Sequence, residues 1–116
     1  MDYTEMIEKM KEATRFKMLA WERRGSEPND VFSCLIGRCR VELSSYYDPV
    51  MDDTCYKLSL YNEDGQMFNT LRGSDTGNDG EYASLSSLYN EVRDYYYKIT
   101  ESEKDIMETL SGMIPF

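Results

Sequence analysis

Histidine is absent from this sequence. With it go the usual general base near neutral pH, the Ser-His and Cys-His nucleophile pairs, and mixed Cys/His zinc sites. Cysteine is scarce, an odd three without C-x-x-C spacing, which argues against a disulfide framework and a redox pair. No apolar run reaches the length of a membrane span, and no secretory hydrophobic region precedes Tyr3. Neither G-x-x-x-x-G-K nor G-x-G-x-x-G occurs, so no glycine-rich loop is built to cradle phosphates. Basic side chains are also few: 13 Lys and Arg against 22 Asp and Glu, a net charge of -9. Binding to a nucleic-acid backbone draws its free energy from Lys and Arg displacing counterions, so that class is disfavoured. These absences predict a soluble cytoplasmic protein with no catalysis, cofactor, bound metal, membrane contact or direct nucleic-acid binding.

What is present fits one domain spanning residues 1–116, long enough to bury a core without staples. The first segment places Tyr3, Met6, Ile7, Met10 and Ala13 on one helical face, with Asp2 and Glu5 as a capping pair. Beyond Phe16 the period shifts towards alternation, so either the helix runs on to Trp21 or a first strand begins near Met18, the strand being the favoured reading. Gly25 to Asp30 is rich in turn formers and reads as a loop.

The stretch Val31 to Leu43 reads as a hairpin about a Gly37-Arg38 type II′ turn. That register sets Ile36 opposite Cys39, Cys34 opposite Val41 and Phe32 opposite Leu43, all apolar, and leaves the other face mostly polar. Cys34 and Cys39 then lie diagonally, about 7 to 8 Å apart, too far for an unstrained disulfide. Ser44 to Thr54 reads as a long acidic loop. Cys55 to Leu71 reads as a second hairpin around Glu63, Asp64 and Gly65, with Leu60 facing Phe68 and Leu58 facing Thr70.

A helix is expected from about Gly80, with Leu85, Leu88, Val92, Tyr95, Tyr96 and Ile99 in one stripe. Thr100 and Glu103 then form a capping box that starts a last helix ending near Gly112. The predicted class is α+β: an N-terminal helix, an antiparallel meander of four or five strands, and two C-terminal helices packed on one sheet face.

Two patterns suggest sites. Asp75, Asp79 and Gly80 match parts of a calcium loop, but the third position is Gly77 and the twelfth is Ser86 where a bidentate Glu is needed. Tyrosine is the more informative signal. Of the consecutive Tyr95, Tyr96 and Tyr97, the last is pushed off the apolar stripe, beside Asp94. The acidic loop likewise carries Tyr46, Tyr47, Asp48, Asp52 and Asp53. Tyrosines among carboxylates suit a protein-binding surface, the rings supplying contact area and the charges steering a basic partner.

The run Leu19-Ala20-Trp21-Glu22, the strand Tyr56 to Tyr61 followed by Asn62-Glu63-Asp64-Gly65, and the helix with Leu85, Leu88-Tyr89 and Val92-Arg93 resemble small uncharacterised phage and prophage proteins. In element order and acidity the chain is similar to small phage anti-CRISPR proteins, built from a helix, an antiparallel sheet and further helices, which occupy a nucleic-acid site on Cas9. The resemblance implies an anti-defence protein acting in the host cytosol, binding and inhibiting a host defence protein with a basic surface, such as a CRISPR effector. It carries over no functional residue. Other readings are an oligomeric sponge for a nucleotide immune signal, with Arg38 and Arg40 or Arg23 and Arg24 on the phosphates, and a structural domain without inhibitory role.

Overall fold

The computed structural model describes residues 3–25, 30–75 and 84–114. The first helix, α1 (Tyr3–Arg15), buries Ile7, Met10 and Thr14 on the face set by its apolar period. Its end is a Schellman closure. Lys17 adopts φ 60°, its N–H reaches the Thr14 carbonyl at 3.0 Å, and the Met18 N–H reaches the Ala13 carbonyl at 2.8 Å. The expected Asp2 cap lies outside the described residues.

Five strands follow in an antiparallel meander of order β1-β2-β3-β4-β5: β1 (Glu22–Arg24), β2 (Val31–Ile36), β3 (Cys39–Asp48), β4 (Asp53–Tyr61) and β5 (Met67–Ser74). The first strand exists but starts at Glu22 rather than Met18, where the backbone is still bonded into the α1 closure. The β2–β3 register is the expected one, Phe32 on Leu43, Cys34 on Val41 and Ile36 on Cys39. Gly37 has φ 64° while Arg38 stays out of the left-handed region, the combination a type II′ turn needs.

The β4–β5 register differs by one residue. Leu58 pairs with Leu71 and Leu60 with Asn69, and a bulge follows at Leu60/Tyr61. Asn62 causes the shift: its Oδ1 accepts from the N–H groups of Asp64 and Gln66, both at 3.0 Å, extending the turn beyond the Glu63-Asp64-Gly65 core. A one-residue slip exchanges faces, so Leu71 enters the core and Phe68 is left 57 % exposed.

The helix α2 (Ser84–Tyr97) covers one sheet face, burying Leu85, Leu88, Tyr89 and Val92. The Tyr89 ring lies 5.7 Å from Phe32 and 5.4 Å from Tyr56. With Leu43, Leu58, Leu71 and, from α1, Ile7 and Met10, these residues make one continuous core.

The last helix, α3 (Ile99–Met113), departs from expectation in two ways. The Thr100–Glu103 capping box is not used: Lys98, at φ 52°, occupies the cap without a side-chain hydrogen bond, and Asp94 Oδ1 accepts from both the Thr100 N–H and its hydroxyl at 2.9 Å. No α3 residue is buried, so the packing on the sheet expected of both C-terminal helices is made by α2 alone. The left-handed Lys98 turns the chain out of α2. The radius of gyration is 16.5 Å, against roughly 13 Å for a compact chain of this length.

Candidate functional site

Strands β3 and β4 outrun their neighbours. Pairing with β2 stops at Ser44 and with β5 at Cys55, whereas Tyr47 still faces Thr54 and Asp48 faces Asp53. The segment expected as a long loop is thus mostly strand, because tyrosine and threonine suit a pleated surface and find partners across the ladder. The turn itself comprises residues 49–52. Asp48 initiates it, its Oδ1 accepting from the N–H of Val50 at 2.9 Å and of Met51 at 3.3 Å, with Pro49 supplying the fixed φ that such a turn prefers next. Asp52 closes it at φ 50° and accepts a hydrogen bond from the Tyr47 hydroxyl. That acceptor raises the Tyr47 phenol above the ordinary tyrosine range, with desolvation adding to it.

The result is a projecting tip with an apolar crown and an acidic collar. Val50 is 93 % exposed and Tyr47 59 %, beside a half-exposed Met51. Among the described residues no Lys or Arg pairs with Asp48 or Asp52. Val50 and Met51 were not among the expected contact residues. The Asp48-Pro49 step was their signal, since it marks a turn whose central residues must protrude.

The other expected residues separate from this tip. Tyr46 points to the sheet face away from the helices, where its hydroxyl accepts from Arg72 Nη1 at 3.3 Å. Asp94 caps α3, as described. Tyr97 is occupied in the fold: its hydroxyl donates to Asp30 Oδ2 at 2.7 Å and accepts from Arg23 Nη1 at 2.7 Å. Burial and the Asp30 contact raise its phenol, and Arg23 opposes the shift. Tyr47, Asp48, Asp52 and Asp53 therefore lie together at the tip, with Tyr46 on its outer flank and Asp94 and Tyr97 apart from them at the α2 terminus.

The four arginines that a nucleotide would need already face carboxylates. Arg23 lies 3.7 Å from Asp30, Arg38 3.8 Å from Glu63 and Arg40 3.6 Å from Glu42, which also pairs with Arg24. In the partial calcium pattern, Asp75 accepts from the Tyr56 hydroxyl at 2.7 Å and from Ser86 Oγ at 3.0 Å, and residues 76–83 lie outside the described set. Among the described residues no cluster of three His, Cys, Asp or Glu is arranged to hold a metal, and no helix is long and apolar enough to cross a membrane.

No protein-family model matches the chain, no curated protein is similar to it, and no solved structure matches its fold.

Proposed function

We propose that this protein is a non-catalytic anti-defence protein of phage type, which inhibits a host immune effector by inserting the β3–β4 tip into a basic site. One observation carries the reading: the exposed turn from Pro49 to Asp52, with Val50 and Met51 at the crown, projects between the flanking carboxylates Asp48 and Asp53. A fully exposed valine and a half-exposed methionine give a soluble monomer nothing, but they supply desolvated contact area once a partner covers them. The carboxylates supply orientation and encounter rate towards positive charge. Basic clefts of this kind are what nucleic-acid-binding effectors present to phosphates, and a protein of net charge -9 competes for them electrostatically.

The test is functional. Expression of the protein in a bacterium with an active CRISPR defence should restore plating of a targeted phage, and Val50→Ser with Asp52→Asn should abolish the effect. Asn keeps the tolerance for the left-handed backbone that Asp52 uses, so the loss would report the surface rather than the turn. Plating restored equally by both proteins would refute the tip as the inhibitory element.

A further inference from the structure

Two apolar features lie at different places in the fold, and neither is covered by the described residues of the chain. The first is the α3 stripe. Ile106, Met107, Leu110, Met113 and Ile114 are all exposed, Met113 at 72 %. Isolated helices of this length are marginal in water, and an amphipathic one gains its stability by laying the apolar face on something.

The second is a groove of about 500 Å³ between α1 and the far end of the sheet, lined by Met6, Met10, Leu19, Ile36, Leu60 and Phe68. It exists because α1 packs against α2 rather than against the strands, and because the β5 bulge leaves Phe68 unburied. Lys9 and Arg40 stand at its rim, with Glu5 paired to Lys9 at 3.3 Å.

We propose that these features fit one another across two copies of the chain: α3 of one copy seats its apolar stripe in the α1–sheet groove of the other, and the second α3 returns the contact. The chemistry matches on both sides, aliphatic and thioether side chains against aliphatic and thioether side chains, with the Phe68 ring as a wall. Charge favours this seat over a pairing of α3 with α3. The helix carries Glu101, Glu103, Asp105 and Glu108 against the single Lys104, so two α3 helices repel, whereas at the groove rim Lys9 and Arg40 balance Glu5 and Glu42 and leave no such excess of negative charge. An acidic polar face also disfavours an anionic membrane as the occupant.

The anchoring of α3 suits a donated arm. Its first turn is held by Asp94 and by Lys17, whose Nζ lies 3.1 Å from Glu101, while the rest is free to be covered. Two reciprocal contacts of roughly 400 Å² per side, about one face of a four-turn helix, sum to the order of 1,600 Å² found in stable pairs. Reciprocity closes the assembly at two copies, where a one-way contact would build a filament.

Sedimentation of the intact chain should give a dimer, and Leu110→Glu and Phe68→Asp should each weaken it by roughly 30-fold. Both residues are exposed, so circular dichroism should stay unchanged. A cross-link identifies the seat, because Cys39 also lines the groove. At least one of Met107→Cys, Leu110→Cys and Met113→Cys should form an intermolecular disulfide with Cys39 under diamide, which takes up the two hydrogens as the S–S bond forms. Adding Cys39→Ser should abolish it. A monomeric chain, a dimer indifferent to Phe68→Asp, no cross-link at any of the three positions, or a cross-link that survives Cys39→Ser would each overturn the proposal.

Discussion

The Tyr97 hydroxyl donates to Asp30 Oδ2 at 2.7 Å and so ties the last turn of α2 to the first residue before β2. Asp30 is 1 % exposed, and among the described residues its other oxygen accepts no hydrogen bond and meets only Arg23, at 3.7 Å. A buried carboxylate that loses a donor bears the desolvation penalty. Tyr97→Phe should therefore lower the unfolding free energy by about 1–3 kcal/mol, read by urea denaturation. An unchanged midpoint would show that Tyr97 does not support the fold, and would return it to the candidate contact residues.

A similar relay holds α1 to the segment before β1. Thr14 Oγ1 donates to the Met10 carbonyl at 2.7 Å and accepts from Trp21 Nε1 at 2.9 Å, with both side chains buried. Thr14→Val keeps the shape but leaves the indole N–H unsatisfied, at a cost of about 1–3 kcal/mol. Thr14→Ser should restore most of the loss. Trp21 is the only tryptophan, so its fluorescence follows the transition directly, and equal stability of all three proteins would contradict the relay.

The two sheet faces should respond unequally to truncation. Leu43 is fully buried between Phe32 and Leu58, while Leu35 on the opposite face is 71 % exposed. Leu43→Ala should cost about 2–5 kcal/mol and Leu35→Ala less than about 0.5 kcal/mol. Comparable melting temperatures for the two variants would invert the assigned core.

Alkaline pH should destabilise the fold through Tyr56. Burial, reinforced by the hydrogen bond to Asp75, pushes its phenol up to about 12, against about 10 in an unfolded chain. The folded state holds the proton more tightly, so this contribution is complete below pH about 10 and lost as pH rises through about 12. Tyr47 and Tyr97 are shifted the same way. Stability measured across that window should fall, and Tyr56→Phe should flatten the fall; an unaltered slope in the variant would exclude Tyr56 as its source.

Much of this fold is legible locally. The β2–β3 hairpin could be read to the residue because Gly37 and the polarity of alternate positions agree on one register. The β4–β5 hairpin could not, since the side chain of Asn62 decides how many residues the turn consumes. Helical period puts Tyr97 off the α2 stripe and Tyr96 on it, yet Tyr97 is partly buried against the core and Tyr96 is the exposed ring, because the Tyr97 partners Asp30 and Arg23 lie more than sixty residues away in the chain. Helical period likewise marks Ile106, Met107 and Leu110 as one apolar face, but it does not say whether anything in the chain covers them. At the site, composition marked the acidic tyrosine-rich segment, but pairing decided that Tyr46 and Tyr47 face opposite ways and that Val50 crowns the tip.

The most direct test of the tip is the association rate with an inhibited effector, measured against ionic strength for the native protein and for Asp52→Asn with Asp53→Asn. Association should be slower and its salt dependence shallower in the variant, with dissociation hardly altered, because exposed charges steer encounter while buried contacts set residence time. Val50→Ser should do the reverse, speeding dissociation alone. Identical rates for all three proteins would contradict binding through the β3–β4 tip.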